Sequence, residues 1–160
     1  SAEAYSPAAG RWNSIVPLPH PTSYATTCVL NGRLFVAGGW GSDRLQMWDT
    51  KKWTVKAPMP ARRYAAASVV HEGKMMVIGG VVRGQPSTSV ILYDPQTDTW
   101  ADGPPLPEPR IGCRAVEHAG AVIVVGDGPP LRFEDGEWAE LSDVPGGRQY
   151  APSMGTVLLG

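Results

Sequence analysis

Apolar residues come along this chain in short runs of four or five, each closed by glycine, proline or aspartate. The pattern is clearest from Met75 to Trp100. Met75-Met76-Val77-Ile78 ends at Gly79-Gly80, a polar stretch follows, and Val90-Ile91-Leu92-Tyr93 leads into Asp94-Pro95. Trp100 opens the next run. Three strands are predicted there, with no room for a helix. The near-continuous apolarity of the first run suits a strand buried on both faces.

The unit recurs. Arg33 to Ala37 runs into Gly38-Gly39-Trp40, Leu45 to Trp48 into Asp49, and Ala121 to Val125 into Gly126-Asp127. Trp12, Trp53, Trp100 and Trp138 stand 41, 47 and 38 residues apart, and Pro19, Pro60, Pro107 and Pro145 repeat those steps. Gly32, Gly73 and Gly120 follow the first two. Self-similarity at this period means stacked supersecondary units.

A hydrophobic run, a double glycine, then an aromatic (Trp48, Tyr93, Phe133, with Tyr5 in the first fragment) and a tryptophan resembles the kelch repeat. The resemblance implies an all-β fold, a β-propeller of four-stranded antiparallel blades. About 3.5 blades are expected here, as part of a larger propeller. Residues 1–19 read as the third and fourth strands of a partial blade, 20–60 as blade A, 61–107 as blade B and 108–145 as blade C. Residues 146–160 read as the first strand of another partial blade, so the chain is expected to be truncated at both ends. First strands (a) are expected near 24–30, 64–70 and 112–118. Their small residues (Ala25 to Cys28, Ala65 to Ser68, Gly112-Cys113) suit the crowded axis of a propeller.

The turn chemistry agrees. Gly38-Gly39 and Gly79-Gly80 end second strands (b) where the backbone must turn or meet a neighbour closely. Asp127, in place of a second glycine, is expected to tolerate the left-handed region. Asp49, Asp94 and Ser6 are placed to start turns by bonding their own backbone, and Asp135-Gly136 favours a tight hairpin.

Composition narrows the function. The formal net charge is −1, without charge runs, and nothing suggests a nucleic-acid or membrane-surface partner. No apolar stretch approaches the roughly 20 residues of a membrane span. Cys28 and Cys113 fall at different repeat positions in non-neighbouring blades, which argues against a disulfide and leads us to expect a reducing, cytoplasmic setting. His71 and His118 share one turn position, and no metal-binding spacing exists, so no metal or other cofactor is expected. No helix follows the glycine clusters to make a phosphate site, and no catalytic residues are assigned.

Arg63, Arg110 and Arg148 each stand three residues after the repeat proline, where blade A has Thr22. The resemblance places them around the mouth of the central channel, beside Arg62, Tyr64 and Tyr150. The b-to-c loops add Trp40, Asp43, Arg44, Arg83 and Gln85. Guanidinium groups beside exposed aromatics suit a protein or acidic-peptide partner. The same arginines could instead pair with backbone carbonyls or acidic groups between blades. The resemblance implies a protein–protein interaction module, a scaffold or substrate-recognition subunit, with a sugar mutarotase or an oxidase on the same fold as the alternative. Open blade edges predict self-association or a neighbouring chain that completes the ring.

Overall fold

The computed structural model describes residues 2–141. The final segment, with the expected strand at 150–159, lies outside the described residues, as do Arg148 and Tyr150. Seventeen strands follow in order: β1 (Ala2–Ser6), β2 (Arg11–Ile15), β3 (Thr26–Leu30), β4 (Arg33–Ala37), β5 (Leu45–Trp48), β6 (Trp53–Lys56), β7 (Arg63–Tyr64), β8 (Ala67–His71), β9 (Lys74–Ile78), β10 (Val81–Val82), β11 (Gln85–Pro86), β12 (Val90–Asp94), β13 (Thr99–Gly103), β14 (Arg114–His118), β15 (Ala121–Val125), β16 (Leu131–Glu134) and β17 (Glu137–Glu140).

Fourteen of them form three four-stranded antiparallel sheets, β3-β4-β5-β6, β8-β9-β12-β13 and β14-β15-β16-β17, preceded by the hairpin β1-β2, and β7, β10 and β11 form a small sheet of their own. We call the sheets blades A, B and C. The edge strands β3, β8 and β14 lie against one another in turn, so the blades converge on one side. This is a partial β-propeller.

Two apolar layers fill the spaces between blades, as alternation along each strand requires. Phe35, Ala37, Leu45 and Met47 of blade A share a core with Met75, Val77, Ile91 and Tyr93 of blade B. Met76, Ile78 and Val90 on the other face of blade B share one with Val122, Val124, Leu131 and Phe133 of blade C.

One cross-strand aromatic pair repeats four times: Tyr5 with Trp12, Trp48 with Trp53, Tyr93 with Trp100, and Phe133 with Trp138. Their ring centroids lie 4.9–5.4 Å apart, in the range where tilted aromatic pairs attract. The tryptophans then reach backwards. Nε1–H of Trp53 donates to Val16 O, that of Trp100 to Ala57 O, and that of Trp138 to Pro104 O, at 2.8–2.9 Å. The acceptors are themselves one repeat apart.

The turns follow their sequence signals. Lys51 N–H donates to Asp49 Oδ1 and Gln96 N–H to Asp94 Oδ1, and Ala9 N–H reaches Ser6 Oγ. Asp135-Gly136 takes positive φ at both residues, as a two-residue hairpin requires. Two expectations are corrected. First strands begin later than expected, at Thr26, Ala67 and Arg114. Tyr24, Ala65 and Gly112 before them are all left-handed, with φ of 58°, 51° and 63°, which breaks the strand. Asp127 is not left-handed; Gly128 supplies the positive φ of that loop instead.

Candidate functional site

The loops leading into each first strand and those joining second to third strands gather on one face. The double glycines hold them together. Gly39 N–H donates to Arg63 O and Gly80 N–H to Arg110 O, so the second glycine of blades A and B bonds the backbone of the next blade. A Cβ at Gly38 or Gly79 would drive into the carbonyl of Arg63 or Arg110, and both glycines have positive φ. No other residue meets both demands.

The repeated arginines close the same network from the other side. Arg63 is 4% exposed. Its guanidinium donates to Gly79 O, to Ser89 O at 3.1 Å and to Ser89 Oγ at 2.7 Å. Arg110 is also 4% exposed; it donates to Pro129 O at 2.9 Å and pairs with Glu108 at 2.6 Å. Thr22, at the same repeat position in blade A, donates its hydroxyl to Gly38 O at 3.0 Å. The side chain at this position therefore ties each incoming loop to the loop between the second and third strands of its own blade. The main chain of Arg63 and Arg110 ties it to the blade before. The placement of Arg63 and Arg110 as open ligand contacts is corrected accordingly: their donors point into the protein, because the carbonyls at the glycine turns need partners. Burial also pushes the Arg63 pKa down, though a guanidinium stays charged.

The exposed part of this face is aromatic and basic. Trp40 is 66% exposed and packs on Tyr64 with ring centroids 4.7 Å apart. Tyr24, 70% exposed, stands next to Ser23, whose carbonyl accepts Trp40 N–H at 2.8 Å. Arg62, Arg44, Arg83 and Gln85 are all exposed. A small sheet absent from the sequence reading organises part of this surface. Strand β7 pairs with β10, and β10 with β11. Arg83 and Gly84, both with positive φ, make the two-residue turn of that hairpin. Val82 lies opposite Arg63 and Val81 opposite Tyr64, so the same pairing brings Arg62 and Arg83 towards each other. The signal was present: an X-Gly pair between Val81-Val82 and Gln85-Pro86.

A cavity of about 420 Å³ lies at the opposite ends of the strands, lined by His71, Glu72, Ala119, Gly120, Phe133, Glu134, Asp135 and Gly136. It is half open, made of hairpin turns, and has no side chain in common with the loop face. Elsewhere the unusual titrations are structural. Burial pushes the Cys28 thiol up to about 12 and raises that of Cys113. The Asp98 carboxyl is held low by the Tyr93 hydroxyl at 2.6 Å and Ala57 N–H at 3.0 Å.

Comparisons with known proteins agree with this architecture. The chain is similar to Kelch-like protein 35 of Mus musculus, 31% identical over 109 residues, covering 64% of this chain and 18% of that protein. It is similar to Kelch repeat and BTB domain-containing protein 12 of Danio rerio, 36% identical over 126 residues, covering 64% and 20%. F-box protein AFR of Arabidopsis thaliana is 34% identical over 106 residues, covering 58% and 28%. The chain thus spans about a fifth to a quarter of the length of these relatives. The solved structure of YjhT shares the fold, with a TM-score of 0.68 at 19% identity over 79% of this chain and 53% of that one. The Kelch motif matches residues 21–60 and 62–107, more than half of the chain, and so the chain belongs to the kelch-repeat family.

Proposed function

We propose that the chain is a protein-interaction module whose loop face binds an acidic peptide segment, as the recognition or scaffold part of a larger protein. The exposed Trp40, packed on the half-buried Tyr64, carries the reading. A large exposed aromatic held in place by a second, outside either core cluster, supplies the kind of anchor that dominates protein interfaces. Tyr24 extends the apolar area, and Arg62, Arg83 and Arg44 supply donors for carboxylates. The names of the relatives support it, since two carry a BTB or F-box label beside their kelch similarity.

A displayed random-peptide library panned on the purified chain tests this. The selected peptides should be rich in Asp and Glu and bind more weakly as salt rises, because exposed charges are screened. Trp40→Ala should abolish their binding and Arg62→Glu should weaken it, with the fold unchanged by circular dichroism. Selection of neutral peptides indifferent to Trp40 would sink the reading.

A further inference from the structure

Each blade turns one face to the blade before it and one to the blade after. Blade A turns Phe35, Ala37 and Met47 forward to blade B, and blade B turns Met76, Ile78 and Leu92 forward to blade C. The register places Ile123, Val125 and Arg132 at the same three positions of blade C. A cation therefore stands where methionine and leucine stand at the two built seams.

The hairpin β1-β2 shows the complementary oddity on its backward face. Tyr5 and Trp12 match the inward pair Tyr93 and Trp100, yet they are 50% and 65% exposed, whereas Tyr93 is fully buried. Glu3 stands where Ile91 and Leu131 stand in blades B and C. Among the described residues no sheet lies against either face, and Trp12 lacks the carbonyl that Trp53, Trp100 and Trp138 each reach.

We infer that these two faces dock on each other in trans: the forward face of blade C in one copy covers the hairpin β1-β2 of a second copy. At the built seams Met47 shares its core with Ile91, and Leu92 packs on the core that holds Leu131. The same place at the docked seam holds Arg132 and Glu3, which are opposite in sign. Each charge alone would be costly against an apolar face, and together they compensate. Arg132 already holds Glu134 at 2.6 Å and keeps further donors for a second carboxylate. Burying Tyr5 and Trp12 supplies the apolar part of the contact. The contact is head-to-tail, and made twice it closes a pair. The described residues of two copies bring six four-stranded sheets and two hairpins, within the four to eight blades that propellers use.

Light scattering and sedimentation across a dilution series on the purified 160-residue chain test this independently of peptide binding. The expected mass is twice 17.1 kDa. Glu3→Arg alone and Arg132→Glu alone should each raise the dissociation constant by about tenfold or more, as breaking a close interfacial charge pair does. The chain carrying both reversals should recover the native dimer, because the pair is remade with its signs exchanged. Circular dichroism checks the fold of each variant, and Glu3→Gln and Arg132→Gln replace any reversal that fails to fold. A monomer, an assembly larger than two, or a dimer indifferent to all single variants overturns the proposal.

Discussion

The seam between blades A and B and the seam between blades B and C use the same tryptophan but differ at the rim. At the first, blade B takes both backbone groups of Ala57: Trp100 Nε1–H bonds its carbonyl and Asp98 Oδ1 accepts its N–H. Asp98 also accepts from the Tyr93 hydroxyl and pairs with Lys56 at 3.4 Å. At the second seam the matching residue is Pro104, which has no N–H, and blade C has only the short Asp135-Gly136 turn where Asp98 stands. Among the described residues Trp138 is the side chain that bonds the main chain there, while His71 of blade B lies 3.5 Å from Glu117 and edge-on to Phe133 of blade C. The first rim is doubly locked through Ala57 and the second singly through Pro104, although their apolar layers are alike in make-up.

The largest effect should come from removing the shared lock. Trp138→Ala and Trp100→Ala should each cost about 3 kcal/mol, the lower end for large aromatics because both are part-exposed. Hydrogen exchange should separate them. With Trp138 gone, β16 and β17 should lose protection well before blade B, whereas Asp98 should hold the first seam when Trp100 is gone. Equal, uniform loss in both variants would remove the distinction.

Next come the arginines. Arg63→Met strands the Gly79 carbonyl and removes one of the two donors of Ser89 O, and should cost about 2–3 kcal/mol; Arg110→Met strands Pro129 O and releases Glu108 to water, and should cost about 1–2 kcal/mol. Chemical denaturation measures both, and a larger cost for Arg110 would contradict the geometry.

The smallest effect is a pH dependence at the doubly locked rim. The Asp98 carboxyl titrates below its ordinary value of 3.8 because the Tyr93 hydroxyl and Ala57 N–H bond its charged form. A lowered folded value means stabilisation that is complete above the ordinary value and is lost as pH falls through the folded one. Asp98→Asn should therefore cost about 1 kcal/mol or less near neutrality, as exposed pairs do. The difference from the native chain should vanish in acid, which thermal melts across pH 2–6 would show.

Much of this was legible in the sequence. The second strands fall at 33–37, 74–78 and 121–125 as read, because unbroken apolar runs closed by glycine admit little else. The position of the repeated arginine was legible, but not the direction of its side chain. Arg63 finds its acceptors 16 and 26 residues further on, and only the folded loops show that the Gly79 carbonyl depends on it while the Ser89 carbonyl, already bonded by Gly79 N–H, takes it as a second donor. The late start of the first strands was signalled at Gly112 but hidden at Tyr24 and Ala65, residue types that seldom adopt the left-handed conformation seen there. The aromatic anchor was legible as Trp40 and Tyr64 separately; that they touch was not.

The tryptophan fastener has a consequence for how such chains lengthen and shorten. Its donor is a side chain, but its acceptor is main chain, supplied here by valine, alanine and proline alike. A blade therefore places no demand on the identity of that residue in its predecessor. Duplicating, deleting or transplanting a whole repeat leaves this link intact at every new junction, and each copy can drift in sequence without losing its grip. Blade order then becomes open to rearrangement, with the seam-facing side chains as the remaining test of whether two neighbours fit.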